Sequence, residues 1–172
     1  YNGLNPHITS ATVKGNINDK AEGYMTYSEY DAAEMDAEVK VQAYVQAKQS
    51  WWDNKATLYL ADGNGAYFAY NTTCTEELFN QLTVGTCVKV DGYKTAWAGE
   101  IEIAAGATVE IGNGFKYVAA SKNADAALGT DNMIKLQNQL VAFTNLEVVA
   151  SKNANEEDVA WLYKYNGSGA EG

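Results

Sequence analysis

Hydrophobic residues in this chain recur mostly with period two, in short runs separated by glycine, asparagine and aspartate. From Glu38 to Ala47 (EVKVQAYVQA), Val39, Val41, Ala43 and Val45 share one side while Lys40, Gln42, Tyr44 and Gln46 share the other, which predicts a strand with one buried face. Ala56 to Leu60 predicts a second strand and Ala66 to Tyr70 its return. Between them lies Asp62-Gly63-Asn64-Gly65, a turn sequence that tolerates the positive φ of tight hairpins. Cys87 to Tyr93, Glu100 to Ile103 and Ala107 to Ile111 predict three more strands. Two helices interrupt the series. Thr26 and Glu29 stand at capping-box spacing ahead of a helix predicted over 27–35, and Thr73 and Glu76 repeat that spacing ahead of one over 76–82.

The order is helix, three meandering strands, short helix, two or three strands. A helix between the third and fourth strands is the arrangement of five-stranded Greek-key barrels of the oligomer-binding (OB) type, with a β-sandwich as the alternative. The expected fold class is therefore all-β with short helices, an OB-like barrel over residues 24–115. The segment LTVGTCVKVDG (82–92) resembles the start of the fourth strand in many OB-fold domains. There Gly85 would turn the chain in, Val88 and Val90 would face the barrel, and Gly92 would permit strong coiling.

Residues 116–172 repeat the theme with a polar linker, a helix over 130–137, strands over 140–150 and 160–165, and the turn Asn166-Gly167-Ser168-Gly169. They read as a linker and the opening of a second OB-like unit, a partial second barrel. Residues 1–20 read as a terminal strand, His7 to Val13, and a connector that would end such a unit. Two octapeptides also echo each other, VAASKNAD at 118–125 and VVASKNAN at 148–155.

Charge narrows the functional classes. The chain of 172 residues has 12 basic side chains, all lysine, against 22 acidic ones, for a net charge of -10. Such a field repels phosphate backbones, and arginine, the best bidentate reader of phosphate and guanine, is missing. Nucleic acid is set aside as a partner. No apolar run of about 18 residues predicts an integral membrane segment. Two readings of Cys74 and Cys87 are open: buried unpaired thiols, or a disulfide from a helix start to the next strand, which would imply an oxidising compartment. The sole histidine, His7, has no cysteine or carboxylate at ligand spacing, so neither metal nor cofactor is expected.

Candidate chemistry is sparse. Trp51 and Trp52 lie in the loop joining the first two strands, which borders the ligand face of OB-type barrels. One reading packs one of them on the barrel and leaves the other partly exposed; a second builds a stacking platform for a neutral glycan from Trp51, Trp52, Tyr44, Tyr67 and Trp97, with Tyr59 nearby. Asp62, Asn64 and Asp53 offer hard oxygens for calcium, but no bidentate glutamate follows at the required spacing, and the turn explains the first two. Glu100 and Glu102 alternate on one strand face. Paired carboxylates can cleave glycosides, yet period two on an exposed strand accounts for them, and no enzymatic activity is expected.

The sequences MTYSEY (25–30), AYVQAKQSWWDNKAT (43–57) and DGNGAYFAYN (62–71) resemble the tandem OB-like domains of uncharacterised secreted or lipid-anchored surface proteins of Gram-positive gut anaerobes. The resemblance covers most of 24–111. It implies an extracellular, cell-surface location and no established catalytic residues. By the same resemblance, WLYKYNGSG (161–169) looks like the opening of a second unit and YNGLNPHITS (1–10) like the closing strand of one. Either the chain is a window on a longer repeat protein, or His7, Ile8, Thr9 and Val13 add as a strand to a neighbouring chain. The function expected is a non-catalytic module with a structural, assembly or ligand-binding role. A carbohydrate-binding module around Trp51 and Trp52 and a strand-exchanging fibre subunit are the alternatives. The partners expected are protein, whether copies of itself or neighbouring domains, or a neutral glycan.

Overall fold

A computed structural model describes residues 15–144 and 146–165, with the side chains of 161–165 left aside. The expected strand of His7, Ile8, Thr9 and Val13 and the turn at 166–169 lie outside the described residues. Among the described residues no helix is long and apolar enough to cross a membrane.

The barrel is OB-like. Its strands are β1 (Glu38–Lys48), β2 (Lys55–Ala61), β3 (Ala66–Thr73), β4 (Cys87–Trp97) and β5 (Glu100–Ile103), hydrogen-bonded in the order β1-β2-β3-β5-β4 and closed by β1–β4 pairing. Closure rests on β1, which is long enough to serve both neighbours. Glu38 to Tyr44 pair with Tyr93 to Cys87 of β4, and Tyr44 to Lys48 pair with Ala61 to Leu58 of β2. The period-two pattern then fills the interior: Val39, Val41, Ala43, Val45, Leu58, Leu60, Ala69, Val88, Val90 and Ile103 form one buried cluster. Gly92 lets β4 bend across this core, because a Cβ there would stand 2.7 Å from Ala107 Cβ and 2.8 Å from Ile103 Cγ2. β6 (Thr108–Ile111) lies antiparallel to β4.

Helix α1 (Tyr27–Ala32) begins with the expected capping box, the Thr26 hydroxyl accepting from Glu29 N at 3.3 Å and Glu29 Oε2 from Thr26 N at 2.7 Å. The hydrogen bonds from Thr26 hold the Glu29 carboxyl below its ordinary pKa. The helix stops three residues short of Met35. Lys94, 4% exposed, donates to the carbonyls of Tyr30, Asp31 and Ala33 at 3.0, 2.8 and 2.8 Å, placing a cation on the negative end of the helix.

Helix α2 (Glu76–Gln81) is capped by Thr75, which accepts from Leu78 N at 3.2 Å, and not by Thr73. Thr73 belongs to β3, which runs past Tyr70 because Thr73 pairs with Lys55 and donates its N–H to Ala107 O. The Asp62–Gly65 turn forms the β2–β3 hairpin without positive φ at Gly63, Asn64 or Gly65. A side chain closes it instead: Asp62 Oδ1 accepts from Asn64 N at 2.8 Å and Gly65 N at 2.9 Å. Gly65 is needed for close approach, since a Cβ would lie 2.2 Å from the Tyr27 ring.

Beyond the barrel, the helix expected over 130–137 is a short 3-10 turn, Met133–Leu136. The Thr130 hydroxyl donates to Ala127 O and accepts from Asn132 N, a local pattern that competes with helix. The strand expected over 140–150 is divided. β7 (Lys122–Asn123) pairs parallel with β8 (Val141–Ala142), and β9 (Leu146–Lys152) pairs antiparallel with β10 (Asp158–Tyr165). Asp125 takes both the N–H and the hydroxyl of Thr144, which interrupts the run. The octapeptide echo has a structural basis: Asn123 Oδ1 accepts from Asp125 N, and Asn153 Oδ1 from Asn155 N, the same side-chain turn in each copy.

One ion pair ties the first described residues to the barrel. Lys20 Nζ bonds Asp62 Oδ2 and Gln42 O, while the Tyr67 hydroxyl donates to the same Asp62 oxygen at 2.8 Å. Both charges are almost fully enclosed. Removing one member strands the other in a low dielectric, so Asp62→Ala is expected to cost about 3–5 kcal/mol, read as a lower urea midpoint with an unchanged slope.

Candidate functional site

The five aromatic residues expected to form one platform do not meet. Tyr67 is fully buried inside the barrel, edge-on to Tyr30 at 5.0 Å and to Tyr27 at 5.4 Å. Its inward phase on β3, shared with Ala69, put it there. Tyr44 points outward but is buried beneath Phe115, stacked at 5.8 Å, and Tyr117, edge-on at 5.4 Å. Trp51 donates its indole N–H to Cys74 O at 2.9 Å and packs on the barrel end that carries α2. Trp52 is its free neighbour, 56% exposed, with Lys55 Nζ 4.4 Å from the ring centre. Trp97 is 76% exposed at the opposite end. The registers make this separation unavoidable: Thr73 of β3 pairs with Lys55 beside the Trp51–Trp52 loop, whereas Glu100, next to the Trp97 turn, runs parallel to the far half of β3.

The remaining candidates are also dispersed. Asp53 pairs with Lys55 at 3.0 Å at the barrel end away from Asp62, whose oxygens are already taken by the hairpin turn, Lys20 and Tyr67. Cys74 and Cys87 are free, so the disulfide reading is corrected. Cys74 follows β3 beside Asn54, and Cys87 opens β4 against Gly112. Burial pushes both thiols above their ordinary pKa. Among the described residues no three His, Cys, Asp or Glu side chains converge as a metal set.

What the barrel's outer face does carry is the chain's own segment 115–140. Gly85 O accepts from Tyr117 N at 3.0 Å, and the Gln46 amide bonds Tyr117 O at 3.3 Å and Ala119 N at 2.7 Å. Gln137 Oε1 accepts from Ile101 N at 2.8 Å, and Asn138 Nδ2 donates to Ile101 O at 3.2 Å. A shallow cleft of about 260 Å³ remains between this segment and the barrel, bounded by Gln46, Tyr59 and Leu140. Outward glutamines on an alternating strand read as solvated positions in the sequence, and nothing local marks Gln46 as an anchor.

Glu100 and Glu102 are the site residues whose setting the pattern did not disclose. Both project from β5 out of phase with Ile101 and Ile103, and Glu102 is only 9% exposed. Burial, and then the neighbouring Glu100 charge, push the Glu102 carboxyl above its ordinary pKa. Lys94 is the other unforeseen residue. Its signal was available: it is in phase with Val88 and Val90 on β4 and so had to point inward.

No protein-family model and no curated protein matches this chain. Among solved structures, it is similar to the aspartyl tRNA synthetase from Entamoeba histolytica, at 19% identity and a TM-score of 0.42, over 56% of this chain and 22% of that one. At that score the likeness bears on neither activity nor partner.

A carboxyl whose pKa is higher in the folded than in the unfolded chain contributes most below its unfolded pKa and progressively less as pH rises through its folded value. Glu102→Gln is therefore expected to raise the melting temperature at pH 7 and to flatten its decline between about pH 4 and 7. A lower melting temperature for the variant at pH 7 would contradict this account of Glu102.

Proposed function

We propose that the chain is a non-catalytic structural module of an extracellular cell-surface protein, in which the OB-like barrel serves as a platform for chain that follows it. The observation that carries this reading is the occupation of the barrel's outer face by residues 115–140. Two rings on Tyr44, both sides of the Gln46 amide and both backbone groups of Ile101 hold that segment in place. In barrels of this type the face of the second and third strands and its bordering loops commonly receive a ligand; here the outer side of β1 and the start of β5 receive the next part of the same polypeptide. The acidic balance, with no arginine, supports protein or neutral partners over nucleic acid. The extracellular placement rests on the resemblance of 25–71 to tandem surface domains, and the β9–β10 hairpin is compatible with the opening of a further unit.

A second reading, a neutral-glycan contact, is favoured by the exposed Trp52 ring, because Trp51, Tyr44 and Tyr67 are engaged elsewhere and the exposed Trp97 lies at the opposite end of the barrel. Fluorescence titration of wild type and Trp52→Phe against cell-wall and dietary glycans tests it; a wild-type response lost in the variant supports it, and silence dismisses it.

Hydrogen–deuterium exchange tests the main reading. The amides of Ile101, Tyr117 and Ala119 are expected to exchange at least roughly 100-fold more slowly than in a free peptide. Gln46→Ala should release the Ala119 amide, whose hydrogen bond the Gln46 side chain accepts, while leaving the β1–β4 amides protected. Free-peptide exchange across 115–140 in the wild type would overturn it.

A further inference from the structure

The outer surface where β3, β5 and β4 meet holds negative charge that nothing in the described chain neutralises. The pairing of Ala69 with Ile103 brings Phe68 alongside Glu102, and the pairings of Thr95 with Glu102 and Trp97 with Glu100 complete the patch from β4. Phe68 is itself buried, 5.0 Å from the Tyr59 ring and 6.3 Å from that of Tyr70. Glu102 lies against this aromatic row, nine-tenths buried. Among the described residues neither glutamate takes part in an ion pair, and Glu100 Oε1 is enclosed with no hydrogen-bond partner. The enclosed Tyr30 hydroxyl is also without a partner, and burial first, then Tyr27 and the Glu100 and Glu102 charges, push its pKa up. Two carboxylates on alternate residues of one strand repel each other, and burial without a partner adds to that cost.

We propose that this patch docks a basic side chain of a partner protein, a lysine ammonium or arginine guanidinium received between the Glu100 and Glu102 carboxylates and the exposed rings of Trp97 and Tyr70. Charge complementarity selects the occupant. A hard divalent ion seeks six or more oxygens, which two carboxylates beside aromatic rings do not supply. An organic cation gains from both groups, by charge-assisted hydrogen bonds to the carboxylates and by attraction to the ring faces. Trp97 at 76% and Tyr70 at 41% exposure stand open to it. Nearby lysines are committed elsewhere: Lys94 faces inward onto three carbonyls, and Lys135 bonds Asn132. The net charge of -10 adds long-range attraction for a basic partner. The patch adjoins the stretch of β5 that Gln137 and Asn138 hold through the Ile101 backbone, but neither carboxylate takes part in those hydrogen bonds, so the inference does not depend on the platform role.

The test is an NMR titration of the isotope-labelled full chain with N-acetylated, C-amidated tetralysine. Saturable shifts are expected at the Glu100–Glu102 amides and the Trp97 indole. Affinity should fall at least tenfold in Glu100→Gln/Glu102→Gln, fall measurably in Trp97→Ala, and be unchanged in Glu156→Gln/Glu157→Gln. An otherwise unaltered amide spectrum certifies that each variant is folded. Equal loss in the Glu156/Glu157 variant, shifts spread over every acidic segment, or calcium chloride producing the same shifts at lower concentration than the peptide would each overturn the proposal.

Discussion

A carboxylate enclosed in protein must be neutralised or supplied with hydrogen-bond donors, and Asp62 is where this chain meets that demand in full. One oxygen closes the β2–β3 turn through two backbone N–H groups; the other takes Lys20 and the Tyr67 hydroxyl. The result joins three parts that the sequence lists separately: the connector before α1, the hairpin, and the aromatic cluster of Tyr27, Tyr30 and Tyr67 under the helix. Without it the turn loses its clasp and the cluster its polar end.

The same logic sorts the other buried charges. Lys94 is enclosed, but the three terminal carbonyls of α1 satisfy it, so its burial fixes the helix onto the barrel mouth. Glu100 and Glu102, a few residues further along, receive no such compensation among the described residues. A molecule that satisfies a buried aspartate with four donors and a buried lysine with three acceptors, yet among its described residues gives two adjoining glutamates no ion pair, separates charges that hold the fold together from charges that do not.

Much of the barrel was legible because its signals are local. Alternation located β1, β2, β3, β4 and β5, and Thr26 with Glu29 marked the start of α1. Expected and observed boundaries differ where a distant group decides them. Lys94 ended α1 early, β2 and β6 extended β3 so that the cap of α2 moved from Thr73 to Thr75, and Asp125 broke the run at Thr144. The candidate site was less legible. An aromatic residue on a strand reads the same whether it lines a groove, fills a core as Tyr67 does, or lies beneath another segment as Tyr44 does.

The amino-acid pattern by itself determined the succession of strands along the chain, the helix between β3 and β4, and the acidic, arginine-free charge balance, since periodicity, turn residues and net charge are properties of neighbouring positions or of simple sums. Only the tertiary structure decided what each outward face meets. That outcome depends on register between strands distant in sequence: it sent Trp51 and Trp97 to opposite ends, put residues 115–140 over Tyr44 and Gln46, and set Phe68 beside Glu102. Local periodicity tells which way a side chain points, and the pairing of remote strands tells what is waiting there.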